Sequence, residues 1–424
     1  MSKEMDKKLR KLASVLSPHK PIMDVQRLRG RKKDLDRVRE ALQFSSATLF
    51  IFGDRGVGKT SLAQTAKNML DAKSSCQIYT ACASNSRILS AFSDIACELR
   101  EYAIMHGIIS DDAVKKEYSV SANPGYKKIV EQRAKQKYNF QDSNEAIREI
   151  RALDSIIPKH HMTVAIVDEL EGLSDEDRSD LSYFIKQVGD QDFHLRLMLV
   201  GIADNLHDLI GAHQSVSRYI QEVKLSPLSP QDLVDIVRTA AENVSVNVSD
   251  DILKRIAVIG NGYPHFAHLM GTHLLAEAIK SNCGSITFDI YKDGVRSAVD
   301  GSIQQLVRSY LDATQRGDDI NKYLLWAFAD FDAPDVRIDD WIAHYNRKAD
   351  ELSWGKVEEE VLRNRIQRLS QKEYGEIITN TPVCYGSREI RYRYKRFTNN
   401  LMRGHVRLVA ESEGIALGNS CSLL

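Results

Sequence analysis

Short apolar runs in the first half of the chain alternate with longer amphipathic segments. The apolar runs cover residues 47–52, 76–82, 162–167 and 195–202. Mostly apolar runs of this length predict buried strands, as in a parallel sheet. Helices are predicted between and before them at 31–43, 61–70 and 86–105. Strands separated by helices indicate βαβ units, so we predict an α/β fold built on a parallel sheet.

The pattern changes after Leu225. Residues 230–281 contain three helical stretches without a strand signal, and Ser229-Pro230 is a typical helix start. The segment 302–424 mixes helices with one strongly alternating stretch. We therefore predict a loosely structured arm at 1–24, an α/β domain at 25–225, a helical domain at 226–295 and a third domain at 302–424.

A glycine-rich motif follows the first predicted strand. Residues 53–60, GDRGVGKT, match the pattern G-x-x-x-x-G-K-[ST]. Glycines let such a loop wrap around phosphates with its N–H groups pointing inward, and a helix behind it adds its positive end. A plain glycine-rich turn is disfavoured because a strand precedes the motif and a helix follows it. The predicted nucleotide-binding residues are Gly53, Asp54, Arg55, Gly56, Val57, Gly58, Lys59, Thr60 and Ser61, with Thr60 also a Mg²⁺ ligand.

Two adjacent carboxylates, Asp168 and Glu169, end the third predicted strand. In open α/β sheets, ligands bind at the carboxyl edge of the strands. We expect Asp168 to hold Mg²⁺, directly or through water, and Glu169 to polarise the attacking water. The alternative is an ordinary solvated strand end.

Ser217-Arg218 follows the fourth predicted strand and a helix predicted around 206–210. A guanidinium supplied to the γ-phosphate of a neighbouring subunit stabilises the charge of the transition state. Arg218 is our candidate for such an arginine finger, and a surface ion pair is the alternative.

These motifs together carry a family resemblance. GDRGVGKTS, AIVDE, LVGIADN, SVSRYI and SPLSPQDL occur in this order. Over roughly residues 25–280 the chain resembles the initiator-type branch of the AAA+ ATPases, which includes origin-recognition ATPases and regulators of transposition. The segment Gly262-Tyr263-Pro264 resembles instead the related STAND signalling ATPases.

The resemblance implies further site residues. The box Leu28-Arg29-Gly30-Arg31 corresponds to a segment that lies near the adenine in the family, which implies base contacts from Val25 and Leu28. A polar sensor follows the fourth strand, where Asp204 or Asn205 falls, and Asp204 is the candidate for positioning water. Many members carry an arginine where this chain has His265 or His268, and this departure favours a slow switch over fast hydrolysis. Packing is the alternative role for both histidines.

The third domain has the pattern of a winged helix. Residues 320–329, 338–346 and 357–372 have helical spacing, and 376–379 with 389–397 form a predicted hairpin. In the second strand Ile390, Tyr392 and Tyr394 alternate with basic residues, so we expect the tyrosines to be buried. Three helices followed by a hairpin resemble the usual third domain of initiator-type ATPases.

Basic residues cluster on the third helix and the wing of this domain. Such a cluster is the electrostatic pattern expected for phosphates of duplex DNA. A winged helix that docks a partner protein is the alternative. The predicted DNA contacts are Arg363, Arg365, Arg368, Arg391 and Arg393.

The net charge of the chain limits which partners it can attract over a long range. The chain has 58 basic and 58 acidic residues, so its net charge of zero provides no global attraction to nucleic acid or membrane. Residues 106–145 are predicted to be a lysine-rich insertion, either a solvated face or a contact to a partner or DNA.

The six cysteines form no CxxC pair, which is typical of reduced thiols in a cytosolic protein. We predict neither a signal peptide nor a membrane span.

The sequence thus predicts an ATP- and Mg²⁺-dependent cytoplasmic ATPase switch. We expect a homo-oligomer bridged by Arg218 that engages DNA or a protein–DNA complex, with a transposase, nuclease or replication factor as possible partner. The alternative is a signalling or defence ATPase whose C-terminal domain docks a protein. A ring-forming motor is disfavoured because the stretch between the second strand and the acidic pair has no aromatic-Gly pore-loop motif.

Overall fold

The fold is taken from a computed structural model. It describes residues 3–44, 48–71, 74–82, 87–109, 138–191, 193–202, 214–315, 318–382 and 390–418. The described chain divides into two compact units. The α/β unit comprises Met23–Gly53 and Lys59–Leu225, and the C-terminal unit comprises Met1–Ile22, Asp54–Gly58 and Ser226–Leu424.

The α/β unit is built around a parallel sheet. Its strands are β1 (Thr48–Gly53), β2 (Ser75–Ala81), β3 (Met162–Asp168), β4 (Leu195–Gly201) and β5 (Ile220–Leu225). Its helices are α2 (Lys32–Phe44), α3 (Lys59–Asn68), α4 (Ile88–Met105), α5 (Ser143–Ile156) and α6 (Asp175–Asp190), and α1 (Lys3–Val15) precedes them in the other unit. Among the described residues the strand order is β2-β3-β4-β1-β5, and all pairs are parallel. The predicted α/β sheet is therefore confirmed.

One face of this sheet is covered by α4, α5 and α6. Phe92 of α4 and Phe184 of α6 meet edge to face at a ring distance of 4.8 Å within a fully buried cluster. This packing explains the apolar residues that β1, β3 and β4 place on this face, such as Phe50, Ala165 and Leu197. β5 was not expected from the sequence, because Gln221, Glu222 and Lys224 are exposed and interrupt its apolar pattern. An edge strand pairs on one side only and tolerates such residues.

The C-terminal unit contains a helical region and a small mixed region. The helices are α7 (Pro230–Val244), α8 (Asp250–Gly260), α9 (Pro264–Lys280), α10 (Phe288–Asp300), α11 (Gln304–Thr314), α12 (Ile320–Ala329), α13 (Ile338–Leu352), α14 (Glu359–Arg368) and α15 (Met402–Ser412). The strands are β6 (Val336–Arg337), β7 (Ile378–Pro382) and β8 (Ile390–Phe397). They form an antiparallel sheet in the order β6-β8-β7 within the described residues. Separate helical and winged-helix domains remain a prediction.

The expected loose arm at 1–24 is wrong for most of its length, because residues 3–15 form helix α1. Leu12 and Leu16 are each 2% exposed, and α1 packs on α7 and α9. Leu16 lies against Gly271 of α9. The many charged residues of α1 hide this narrow apolar stripe, which is stabilised by tertiary packing.

The expected burial of Tyr392 in β8 is also wrong. Tyr392 is 73% exposed and Tyr394 is half-buried, whereas Lys395 and Phe397 are buried. The register against β7 jumps from Lys395 to Arg391 between Asn380 and Thr381, so the residues between them face no partner on β7. A bulge of this kind changes which side chains face the core.

Candidate functional site

The glycine-rich motif at residues 53–60, called the phosphate loop below, joins β1 directly to α3. β1 ends at Gly53 and α3 begins at Lys59. Gly56 and Gly58 have φ angles of +87° and +96°, in the left-handed region that glycine adopts without strain. This backbone lets successive N–H groups converge on an anion at the N-terminus of α3. Lys59 Nζ donates to the carbonyl oxygen of Gly53 at 3.1 Å, which holds the ammonium at the loop.

Thr60 and Asp168 meet beside this loop. Thr60 Oγ1 donates to Asp168 Oδ2 at 2.7 Å, and the backbone N–H of Glu169 donates to Asp168 Oδ1 at 2.8 Å. The Asp168 side chain lies at the carboxyl end of β3 and is buried. A hydroxyl and a carboxylate this close are the hard oxygen ligands that Mg²⁺ prefers. The residue pair therefore fits Mg²⁺.

Glu169 occupies a special backbone position next to Asp168. Its φ and ψ are 59° and 44°, a left-handed conformation uncommon outside glycine, asparagine and aspartate. The turn places Glu169 at the surface while Asp168 stays buried. Such backbone strain clusters at functional sites. The two adjacent carboxylates thus have different environments, as their different predicted roles require.

Tyr79 of β2 also contacts Asp168 and was not anticipated from the sequence. Its Oη donates to Asp168 Oδ2 at 3.2 Å, and Gln64 of α3 hydrogen-bonds the same phenol. Burial, and then the neighbouring Asp168 carboxylate, raise the pKa of Tyr79. The phenol is therefore protonated and acts as a donor at neutral pH.

Arg218 lies just before β5 and is paired within its own chain. Its Nη2 is 3.3 Å from Asp190 Oδ1 at the end of α6, and its guanidinium lies 4.5 Å from the Tyr219 ring centroid. The Tyr219 hydroxyl hydrogen-bonds both Asp190 and Arg218. The Arg218 side chain is 63% exposed. An exposed ion pair of this kind is weak, so Arg218 can exchange Asp190 for another anion at low cost.

The residues implied near the adenine lie in the α/β unit. Val25 is exposed and Leu28 half-buried. The carbonyl of Met23 accepts from Asn68 Nδ2 at 3.2 Å, which ties this segment to the end of α3. Base contacts by Val25 and Leu28 remain a prediction. Asp204 lies outside the described residues.

His265 and His268 contact the segment that follows α1. His265 Nδ1 lies 3.0 Å from the carbonyl oxygen of Pro18, and the Ser17 N–H donates to His268 Nδ1 at 3.3 Å. Burial lowers the pKa of His265. Both side chains thus pack in the C-terminal unit, in line with the packing alternative.

Residues 54–58 of the phosphate loop belong to the C-terminal unit and contact two of its residues. Tyr263 Oη donates to Asp54 Oδ2 at 3.4 Å. A Cβ atom on Gly56 would lie 2.7 Å from Leu401 Cδ2. Position 56 therefore favours glycine for two reasons, the positive φ angle and the closeness of the Leu401 side chain.

The five arginines predicted to bind DNA differ in their exposure and in their ion pairs. Arg363 Nη2 lies 2.6 Å from Asp339 Oδ1 and 2.7 Å from Glu359 Oε1. Arg365 Nη2 lies 2.9 Å from Asp318 Oδ2. These carboxylates offset the charge of both arginines. Arg368, Arg391 and Arg393 have exposed side chains, and the Arg391 guanidinium is 5.9 Å from the Tyr394 ring centroid. The exposed arginines of this set thus lie at the end of α14 and on β8.

No helix among the described ranges has both the length and the apolar character to cross a membrane.

The chain is similar to one protein family and to several solved structures. The family model of novel STAND NTPase 1 matches residues 21–334. The Walker-type ATPase PABY2304 of Pyrococcus abyssi is 16% identical with a TM-score of 0.51, covering 92% of this chain and 99% of that one. The ORC2 protein of Aeropyrum pernix is 13% identical, with a TM-score of 0.49 and coverage of 95% and 98%. Cdc6p from Pyrobaculum aerophilum is 16% identical, with a TM-score of 0.45 and coverage of 94% and 98%. No curated protein matches the sequence.

The predicted P-loop ATPase fold with STAND features is confirmed by these findings.

Proposed function

Because the chain belongs to the novel STAND NTPase 1 family of P-loop NTPases, we propose that it is an ATP-dependent switch that binds and slowly hydrolyses ATP with Mg²⁺. The observation that carries the proposal is the hydrogen bond of 2.7 Å between Thr60 Oγ1 and Asp168 Oδ2. This pair lies beside a loop in which Gly56 and Gly58 have positive φ angles. This arrangement offers N–H donors, an ammonium and hard oxygens to one triphosphate.

Each proposed role follows from the position of a side chain. Lys59 neutralises the β- and γ-phosphates from the start of α3, and Thr60 with Asp168 holds the metal. Bound Mg²⁺ supplies charge neutralisation at the phosphate oxygens. Glu169 is exposed at the strand end and orients the attacking water as a general base.

The switch character is supported by the C-terminal unit. Tyr263 and Leu401 contact Asp54 and Gly56 of the phosphate loop. A rearrangement of this loop on phosphate binding would alter both contacts. We therefore propose that nucleotide state is coupled to the arrangement of the C-terminal unit.

Oligomerisation and partner binding belong to the same proposal. Arg218 is exposed and weakly held by Asp190, which suits a finger that reaches the γ-phosphate of a second copy. Arg391 and Arg393 on the wing would contact DNA phosphates. The ion pairs of Arg363 and Arg365 with nearby carboxylates favour the second candidate, in which the C-terminal region docks a partner protein.

The decisive test is nucleotide affinity. Lys59→Ala removes the phosphate-facing charge, and calorimetry should show loss of tight Mg²⁺–ATP binding. Lys254→Ala removes an exposed lysine on α8 and should bind as wild type does. Equal ATP affinity in wild type and Lys59→Ala would reject the nucleotide site.

A further inference from the structure

The strand next to the metal-binding aspartate carries a tyrosine that points at its carboxylate. We propose that Tyr79 is a positioning residue for Mg²⁺, which holds Asp168 in the orientation that the metal requires. The inference rests on the proposed nucleotide site and adds a residue from β2 to it.

The register of the sheet explains how Tyr79 reaches the site. β2 and β3 are paired so that Ala81 lies beside Asp168. Tyr79 stands two residues earlier on β2, so its side chain leaves the sheet on the same face as Ala81. Ala81 on this face has only a methyl side chain, and the Tyr79 hydroxyl donates to Asp168 Oδ2 at 3.2 Å.

The carboxylate of Asp168 is held by donors on three different elements. Thr60 on α3 and Tyr79 on β2 both donate to Oδ2, and the Glu169 N–H donates to Oδ1. Thr60 must present its hydroxyl to the metal, and the Glu169 N–H is fixed by a strained turn. Tyr79 therefore adds a side-chain donor whose removal leaves the loop and the strand end intact.

The phenol itself is supported from α3. Gln64 is buried at 5% exposure and hydrogen-bonds Tyr79, and Lys67 Nζ lies 6.0 Å from the ring centroid. The lysine contact is made to the ring and does not depend on the hydroxyl, whereas Tyr79→Phe removes the hydrogen bond of Gln64 together with that to Asp168. Because hydrogen bonds to metal-ligating carboxylates tune metal affinity, their removal typically costs about 10- to 100-fold in affinity or activity.

The test is the Mg²⁺ requirement of nucleotide binding in Tyr79→Phe, which removes only the hydroxyl. A fluorescent ATP analogue is titrated at fixed protein concentration in EDTA and across a Mg²⁺ series, with anisotropy as the readout. We expect the half-saturating Mg²⁺ concentration to rise by about 10-fold, whereas affinity in EDTA stays as in wild type.

Tyr183→Phe is the matched control. Tyr183 lies on α6 and is 36% exposed, close to the 39% of Tyr79, and its loss should change neither value. An unchanged Mg²⁺ requirement in Tyr79→Phe, or equal weakening with and without Mg²⁺, would overturn the positioning role. Absence of any nucleotide binding by wild type would instead overturn the proposed function together with this inference.

Discussion

Substitution of Glu411 should destabilise the C-terminal unit severely. Glu411 on α15 and Arg255 on α8 are each 1% exposed. Arg255 Nε and Nη2 donate to Glu411 Oε2 at 2.8 and 2.5 Å, and the Tyr291 hydroxyl donates to Oε1 at 2.8 Å. Glu411→Ala removes the counter-charge and leaves a buried guanidinium and a buried hydroxyl without their acceptor.

The expected loss of unfolding free energy follows from the two groups that lose their acceptor. Removing one partner of a buried ion pair costs about 3–5 kcal/mol, because the remaining charge is desolvated and unpaired. The orphaned Tyr291 hydroxyl adds about 1–3 kcal/mol. Domains are stable by only about 5–15 kcal/mol, so we expect the unit to unfold at much lower denaturant or to be largely unfolded at 37 °C.

Tryptophan fluorescence can follow this unit by itself. All three tryptophans, Trp326, Trp341 and Trp354, lie in the C-terminal unit. Urea unfolding monitored by their emission therefore reports the unit that contains α15. The double variant Arg255→Met/Glu411→Leu replaces the whole pair by apolar side chains and should recover much of the lost stability. A cost below about 1 kcal/mol for Glu411→Ala, or no recovery in the double variant, would refute the reasoning about an unpaired buried charge.

The remaining predictions concern catalysis, assembly, DNA and pH. Glu169→Gln should bind ATP yet accumulate it unhydrolysed, because an amide cannot polarise water; wild-type turnover in a phosphate-release assay would remove Glu169 from the mechanism. Arg218→Ala should bind ATP normally but hydrolyse it slowly, and mixing it with Glu169→Gln protein should restore some turnover; no rescue, together with concentration-independent wild-type turnover, would indicate a monomeric enzyme. Arg391→Glu with Arg393→Glu should weaken duplex binding across sequences and reduce its salt dependence; wild type that shows no anisotropy change at low salt, with or without ATP, would favour partner docking. Burial lowers the pKa of His405 to about 4, below the usual value of about 6.5, so protonation favours the unfolded chain and stability should fall as pH drops from about 6.5 toward 4; the same acid sensitivity in His405→Leu would exclude this histidine as the cause.

Local patterns predicted the parts of the molecule that depend on neighbours in sequence. The phosphate loop is one continuous motif between a strand and a helix, and Asp168 directly ends an apolar run. The helices α7, α8 and α9 begin and end within a few residues of the predicted stretches, because Ser229 and Ser249 cap two of them through their side chains. In all these cases the determining interactions lie within a few residues.

The features that were missed depend on partners far away in sequence. Tyr79 and Asp168 are 89 residues apart and are brought together only by strand pairing. The α1 helix depends on α7 and α9 for its stability, and the exposure of Tyr392 depends on a register shift against β7. Neither hydropathy nor local spacing contains the position of the partner.

Helix α15 illustrates why a buried helix can lack an apolar pattern. Four polar residues of this helix are nearly inaccessible: Arg403, His405, Arg407 and Glu411. Because they occupy buried positions, the helix lacks the apolar periodicity that predicts a packed helix. Arg407 nevertheless has a partner for each donor group: its Nε binds the Ala329 carbonyl at 2.8 Å, its Nη1 the Val258 carbonyl at 2.6 Å and its Nη2 the Asp332 carboxylate at 2.9 Å.

Val258 and Ala329 lie in the last turns of α8 and α12, where helix carbonyls lack intrahelical donors, and Asp332 follows α12. A guanidinium satisfies several such groups at once, which an apolar residue of similar size could not do. Arg403 and Arg407 therefore match the carbonyls and carboxylates around them, and Glu411 matches Arg255 and Tyr291. The polar residues of this helix thus depend on neighbours in space. An Arg407→Met variant would leave those carbonyls unpaired at about 1–3 kcal/mol each, and for this reason volume alone does not determine which residues fit this core.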